Sequence, residues 1–354
     1  MSQPLNRARR WRALAVTVGM TLTVSATALL SACGGSTRID PYVPTRIMSF
    51  GDELSVINPD GSQYTVNATA GTTTTLGGAC TVHPIWNLTL ATNFGLAFAA
   101  CQPITIASAN GVMAAAAGAR VDQVVAQVAS ARTTTPDAFV PKTLVTLQGG
   151  SWDVIDAYNT FIVNQPTPNT AAATQQVHAA ALKLAALVNQ VADAGRGPRV
   201  IFATIPDLGY SPLAFNGNAT LGTCAGASDC RTLLSALSNE FNTTYRLNVI
   251  DDGHFAGLVT FDDRLRSMAN LNFRTSVYGL INTDAATQQA ACDATVLANL
   301  STCTTDQLIP AAVLATGSAL SAGTYLWAGT TLPGPAWHLQ VGTLAVTRAR
   351  NNPF

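Results

Sequence analysis

Charge is scarce in this chain: Asp, Glu, Lys and Arg make up 11% of its 354 residues, less than half the roughly 25% of an average soluble protein. Basic charge is scarcer still where a folded domain would use it. Four of the 19 basic side chains, Arg7, Arg9, Arg10 and Arg12, lie in a leader with no acids, which leaves 15 basic against 19 acidic residues beyond it. No basic stripe exists to displace counterions from phosphates, so nothing here attracts nucleic acid. Metal-ligand patterns are missing too. No Cys-x-x-Cys occurs, and none of the four histidines stands at ligand spacing from another or from a cysteine. No metal and no other cofactor is expected, and no sequence period suggests a repeat architecture.

What is present begins with the leader: an Arg-rich start, an apolar run from Ala13 to Leu30, and then Leu29-Leu30-Ser31-Ala32-Cys33-Gly34-Gly35-Ser36. That ending resembles a bacterial lipoprotein lipobox. The resemblance implies a signal peptide over residues 1–32, lipidation at Cys33, a tether over 33–44 and a domain over 45–354, anchored to a membrane. An uncleaved transmembrane anchor is the alternative. Gly34, where inner-membrane lipoproteins carry aspartate, points to the outer membrane, on its periplasmic or outer face.

Six cysteines remain beyond Cys33, an even number that implies disulfides in an exported chain. Spacing suggests three local pairs, Cys80–Cys101, Cys224–Cys230 and Cys292–Cys303, among the 15 connectivities that six cysteines allow.

Apolar runs alternate with helical patterns, which predicts an α/β fold with a mainly parallel sheet of about five strands between helices. Residues 46–50 (RIMSF), 143–150 (TLVTLQGG), 199–207 (RVIFATIPD) and 257–262 (GLVTFD) read as strands. Between the second and third of these, Val177, Ala181, Leu184, Val188 and Val191 form one apolar helix face that Gly195 stops. His178 and Lys183 fall off that face and read as solvated. The Pro-Asp-Gly turn in residues 57–67 predicts a small surface hairpin.

The first strand runs into Phe50-Gly51-Asp52-Glu53-Leu54-Ser55, and here the chain resembles the SGNH/GDSL hydrolase superfamily, which opens with a strand and Gly-Asp-Ser-x-Ser. Further blocks follow in order: Ala109–Val128 with Gly118, Leu144–Tyr158 with Trp152 and Asp153, Ile205–Pro212 (IPDLGYSP), Leu237–Arg246, Tyr278–Cys292 and Tyr325–Ala345. The resemblance spans residues 45–354 and implies a three-layer αβα, flavodoxin-like sheet with loop and hairpin insertions. It also implies a catalytic set in which a serine attacks an acyl carbonyl, a histidine takes its proton and an aspartate three residues earlier orients the ring. Those positions hold Glu53, Leu332 and Gly329, and the oxyanion-binding asparagine is Trp152. Losing the serine or histidine of such a set costs on the order of 10⁶ in turnover, and one oxyanion donor about 2.7–4 kcal/mol.

The family alignment puts Glu53 where a strand turns into a helix, beside free N–H groups and the helix dipole, where its carboxylate would fill its own oxyanion hole. The plainer alternative is a helix-start acid exposed to water. Asp52 reads as a hydrogen-bonding residue of the turn. Trp152 offers an aromatic stacking face, or ordinary packing. Ser55 and His338 are the alternative catalytic candidates, His338 reading otherwise as a helix-surface residue. The expectation is a non-catalytic, lipid-anchored protein that holds an acyl chain, a glycan or another envelope component. Two alternatives stay open: an ester or glycan hydrolase with a rearranged set built on Glu53, and an envelope scaffold without a small ligand.

Overall fold

A computed structural model describes residues 41–351 apart from 70–79, 81, 164, 194–196, 217–226, 251, 253, 282–287 and 310–320. The leader with Cys33, the helix stop at Gly195 and Cys224 lie outside the described residues. The compact unit containing the sheet begins at Tyr42.

Five strands form one parallel sheet: β1 (Arg46–Phe50), β2 (Gly111–Met113), β3 (Thr143–Leu147), β4 (Arg199–Ala203) and β5 (Ala256–Val259), in the order β2-β1-β3-β4-β5. The helices are α1 (Trp86–Asn93), α2 (Val121–Thr134), α3 (Ser151–Phe161), α4 (Thr170–Ala192), α5 (Pro212–Asn216), α6 (Ala227–Leu247), α7 (Phe261–Ala269) and α8 (Pro335–Arg350). Alternation along the strands sorts them onto two faces. Met48, Phe50, Val145, Leu147, Val200 and Phe202 point into a core with α2, α3, α4 and α6. Ile47, Leu144, Ile201, Ala203 and Val259 point the other way, against α1, α7 and α8. Buried on both faces, the strands carry the continuous apolar runs that parallel sheets require.

The expected α/β sheet of five strands is therefore present, with three differences in detail. β2 was not expected as a strand; its three residues carry no pattern of their own, and at the sheet edge it pairs with β1 and is bridged at Gly111 to Phe98. The hairpin at 57–67 is reduced to one antiparallel bridge, Ile57 with Gln63, around a turn in which Gly61 N donates to Asn58 O. The fourth strand starts one residue early and stops at Val259, because α7 begins at Phe261. The apolar face of α4 is buried as expected, while His178 and Lys183 pair on the surface with Glu240 and Asp122. Two disulfides, Cys80–Cys101 and Cys292–Cys303, match the expected local pairs, and Cys230 is also disulfide-bonded.

The strand order reverses direction beside β1. From β1 the chain moves outward to β2, and from β3 onward it moves to the other side. Loops leaving the carboxyl ends of β1 and β3 thus part to opposite faces, the topological switch point at which open α/β sheets bind ligands.

Candidate functional site

The loops that part at the switch point are Gly51–Ser55 after β1 and Gln148–Trp152 after β3. Gln127 of α2 holds the first in place by donating to Gly51 O at 3.0 Å and accepting from Gly51 N at 2.9 Å. Residues Glu53–Ser55 then form one turn of 3₁₀ helix. The helix dipole expected at Glu53 is absent, because three residues sum too few peptide dipoles to matter.

Glu53 is 6% exposed, so it is not the solvated helix-start acid of the plainer reading. Both of its carboxylate oxygens are taken. Gly118 N donates to Oε1 at 2.6 Å, and Trp152 Nε1 donates to Oε2 at 2.8 Å. Gly118 sits at φ +73°, a left-handed conformation that glycine adopts without strain. Three of the positions singled out in the sequence, far apart in the chain, therefore meet at one carboxylate.

A fourth residue, not singled out in the sequence, organises them. Arg120 caps the start of α2, donates from Nη1 to Gly118 O at 2.7 Å, and lies over the Trp152 ring at 5.1 Å. Its guanidinium is itself fixed by a two-point pair with Asp156 of α3, at 2.8 and 3.0 Å; fork-to-carboxylate geometry of this kind orients as well as attracts. That partner raises the Arg120 pKa above its ordinary value. Arg120 also covers one face of the indole, so the free stacking face expected of Trp152 is partly occupied. Asp153 accepts from Val121 N at 3.0 Å and ties α3 to the start of α2; burial raises its pKa.

Asp52 has the role expected of it. It is 1% exposed, accepting from Leu54 N at 3.0 Å and from Gln148 Nε2 at 3.1 Å. Burial above all, and then the adjacent Glu53 charge, push its pKa up to about 8 against the pull of those two donors. The shift favours the protonated form of Asp52, which disfavours a second negative charge beside Glu53.

The terminal block does not join this cluster. Leu332 O accepts from Ala328 N at 2.9 Å and Gly329 N at 3.0 Å, closing a tight turn, and the Leu332 side chain packs between two apolar clusters. Among the described residues no hydrogen bond or ion pair links Gly329 or Leu332 to Glu53.

The alternative candidates are not brought together either. Ser55 is buried, and its Oγ accepts from Trp86 Nε1 at 3.3 Å while its carbonyl accepts from Asn87. His338 is fully buried rather than on the helix surface. It lies in phase with Val341, Ala345 and Ala349 of α8, all buried, a 3-4-4 spacing that could have identified it. Neither ring nitrogen has a hydrogen-bond partner, and burial lowers its pKa to about 3. Aromatic contacts run from Trp86 through Phe261 and Trp337 to His338, at centroid distances of 5.3, 4.7 and 5.1 Å. A neutral imidazole with no bonded partner, reached from Ser55 through three rings, is not placed to take a proton from that serine.

Chemically, the arrangement holds an anion that is already part of the chain. Two N–H donors converge on one place, as oxyanion-binding donors do, and the Glu53 carboxylate fills it.

No protein-family description matches the chain, and no curated protein is found similar to it. Among solved structures it is similar to an extracellular lipase from Streptomyces rimosus, with 18% identity over 63% of this chain and 82% of that one at a TM-score of 0.35. It is also similar to phospholipase A1 from Streptomyces albidoflavus NA297, with 14% identity over 86% of this chain and 98% of that one at a TM-score of 0.37.

Proposed function

We propose that the chain is a non-catalytic, SGNH/GDSL-hydrolase-like protein, anchored through lipid on Cys33 in the outer membrane, which holds an acyl, glycan or related envelope ligand at the switch point of its sheet. One observation carries the reading: both oxygens of Glu53 accept hydrogen bonds, one from Trp152, which holds the position the family resemblance gives to the oxyanion-binding asparagine, and one from Gly118 of the second family block.

The physical argument concerns charge. Acyl transfer passes through a state in which a carbonyl oxygen gains negative charge, and the donors stabilise it only if they are unoccupied when it forms. A resident carboxylate uses both donors and repels the new charge. Leu332, at the position of the base, carries no group that accepts a proton. Restoring turnover from this arrangement needs a nucleophile, a base and a free anion site together, and such residues act as a unit.

Purified protein should leave a panel of short acyl esters unhydrolysed and should not react with a fluorophosphonate probe. Turnover that depends on a single serine would refute the proposal. Ester or glycoside turnover that disappears in Glu53→Gln would instead establish the rearranged hydrolase.

A further inference from the structure

A second feature of the same sheet lies at its edge. A hollow of about 600 Å³ opens against β2, with Val56, Phe98, Ala99, Met113 and Ala117 in its wall and, among the described residues, no ionisable side chain in its lining.

The pairing of β2 with β1 fixes which backbone groups face this hollow. Ile47 N donates to Asn110 O at 3.4 Å and Ala114 N to Ser49 O at 2.9 Å, with Ile47 opposite Gly111 and Ser49 opposite Met113. In a parallel ladder of that register, Val112 turns both its N–H and its C=O to β1, while Gly111 and Met113 turn theirs outward. Gly111 is covered. Its N–H donates to Ala97 O at 2.8 Å, and it forms a parallel bridge with Phe98. The segments are so close that a Cβ on Gly111 would lie 2.8 Å from Ala97 O and from the Phe98 ring. The covering strand then ends, because Ala99–Cys101 coils into a 3₁₀ turn. Met113 is the next outward-facing residue, and it borders the hollow.

We propose that this edge receives an extended, uncharged peptide segment, which takes up alongside Met113 the parallel pairing that the chain abandons at Ala99. In such a parallel pairing Met113 N–H donates to the carbonyl of one residue of the incoming segment, and Met113 C=O accepts from the N–H of the residue two positions further along it, the way peptides add to sheet edges. A hydrocarbon chain would cover both groups and pair neither, which is costly for a backbone amide removed from water. The small side chains around the hollow leave room for a second backbone, and the lack of ionisable groups selects a neutral one. This inference goes beyond the reading of Glu53 and does not depend on it.

The test is a titration of the purified chain, labelled with ¹⁵N, with acetyl-Thr-Val-Thr-Val-Thr-amide. The Met113 amide should exchange quickly in the free protein, shift saturably with peptide, and exchange about tenfold more slowly at saturation. The fully N-methylated analogue should not bind. Met113→Pro removes the outward N–H together with a side chain of the wall, at an edge position that tolerates proline, and should weaken binding about fivefold relative to Met113→Ala, which removes the side chain alone, the value of one net hydrogen bond. Three results would each overturn the proposal: a Met113 amide already protected in the free protein, no saturable shift around the hollow, or equal binding of the N-methylated analogue. Saturable shifts with decyl glucoside but not with the peptide would make the hollow a hydrocarbon cleft instead.

Discussion

The turn that carries Glu53 and the helix that carries His338 both bury an ionisable group, and they treat it in opposite ways. Glu53 is surrounded by donors: Gly118 and Trp152 bond it, Arg120 fixes both, and the pKa of the neighbouring Asp52 is pushed up by burial. The His338 ring packs edge-on to Trp337 in an apolar core, and neither of its nitrogens has a hydrogen-bond partner. A buried carboxylate persists only where hydrogen bonds replace water. A buried imidazole has another course, which is to remain neutral. The first solution creates a specific, rigid polar site. The second makes ordinary core from a titratable side chain. Chemistry is therefore to be sought at the carboxylate turn.

The largest test of this contrast lies in its pH dependence at Asp52. An acid whose folded pKa is about 8, against 3.8 in the open chain, binds its proton more tightly when folded, so it costs stability as pH rises from about 4 to 8. Asp52→Asn removes that cost. Urea melts of the two proteins should diverge by on the order of 4 kcal/mol between pH 4 and pH 8, in favour of the variant at the higher pH. Parallel pH profiles would mean that Asp52 is ionised.

His338 should show the opposite slope. Its folded pKa is about 3, against 6.5 unfolded, so the stability present above pH 6.5 is lost as pH falls toward 3. His338→Leu should therefore gain about 2 kcal/mol over the native chain at pH 5 and gain less near neutrality. A smaller effect is expected at Trp152. Trp152→Phe leaves one oxygen of a buried carboxylate without its donor and should cost about 1–2 kcal/mol at pH 7. An unchanged denaturation midpoint would mean that water replaces the indole there without loss.

Much of the sheet was legible because burial on both faces forces unbroken apolar runs, and four such runs match β1, β3, β4 and β5. β2 left no comparable signal. It is three residues long and begins with a glycine required by the approach of Ala97 and Phe98, a constraint that composition does not reveal. The convergence of Glu53, Gly118 and Trp152 was legible only through the family resemblance, since no periodicity links residues 65 and 99 positions apart. Arg120 was missed because a lone arginine at a helix start looks like any other; its role appears only when Asp156 and Trp152 are placed beside it. His338 was misassigned to the surface although its spacing from Val341, Ala345 and Ala349 marks the buried stripe.

The central claim is that the Glu53 carboxylate occupies the donors at the switch point, and the indole N–H of Trp152 reports on it most directly. In ¹H–¹⁵N spectra, with the resonance assigned by its loss in Trp152→Phe, that proton should lie downfield and exchange slowly in the native chain. In Glu53→Ala it should move upfield and exchange faster, while the indoles of Trp86, Trp327 and Trp337 stay in place. An indole resonance for Trp152 that is the same in both proteins would contradict the account.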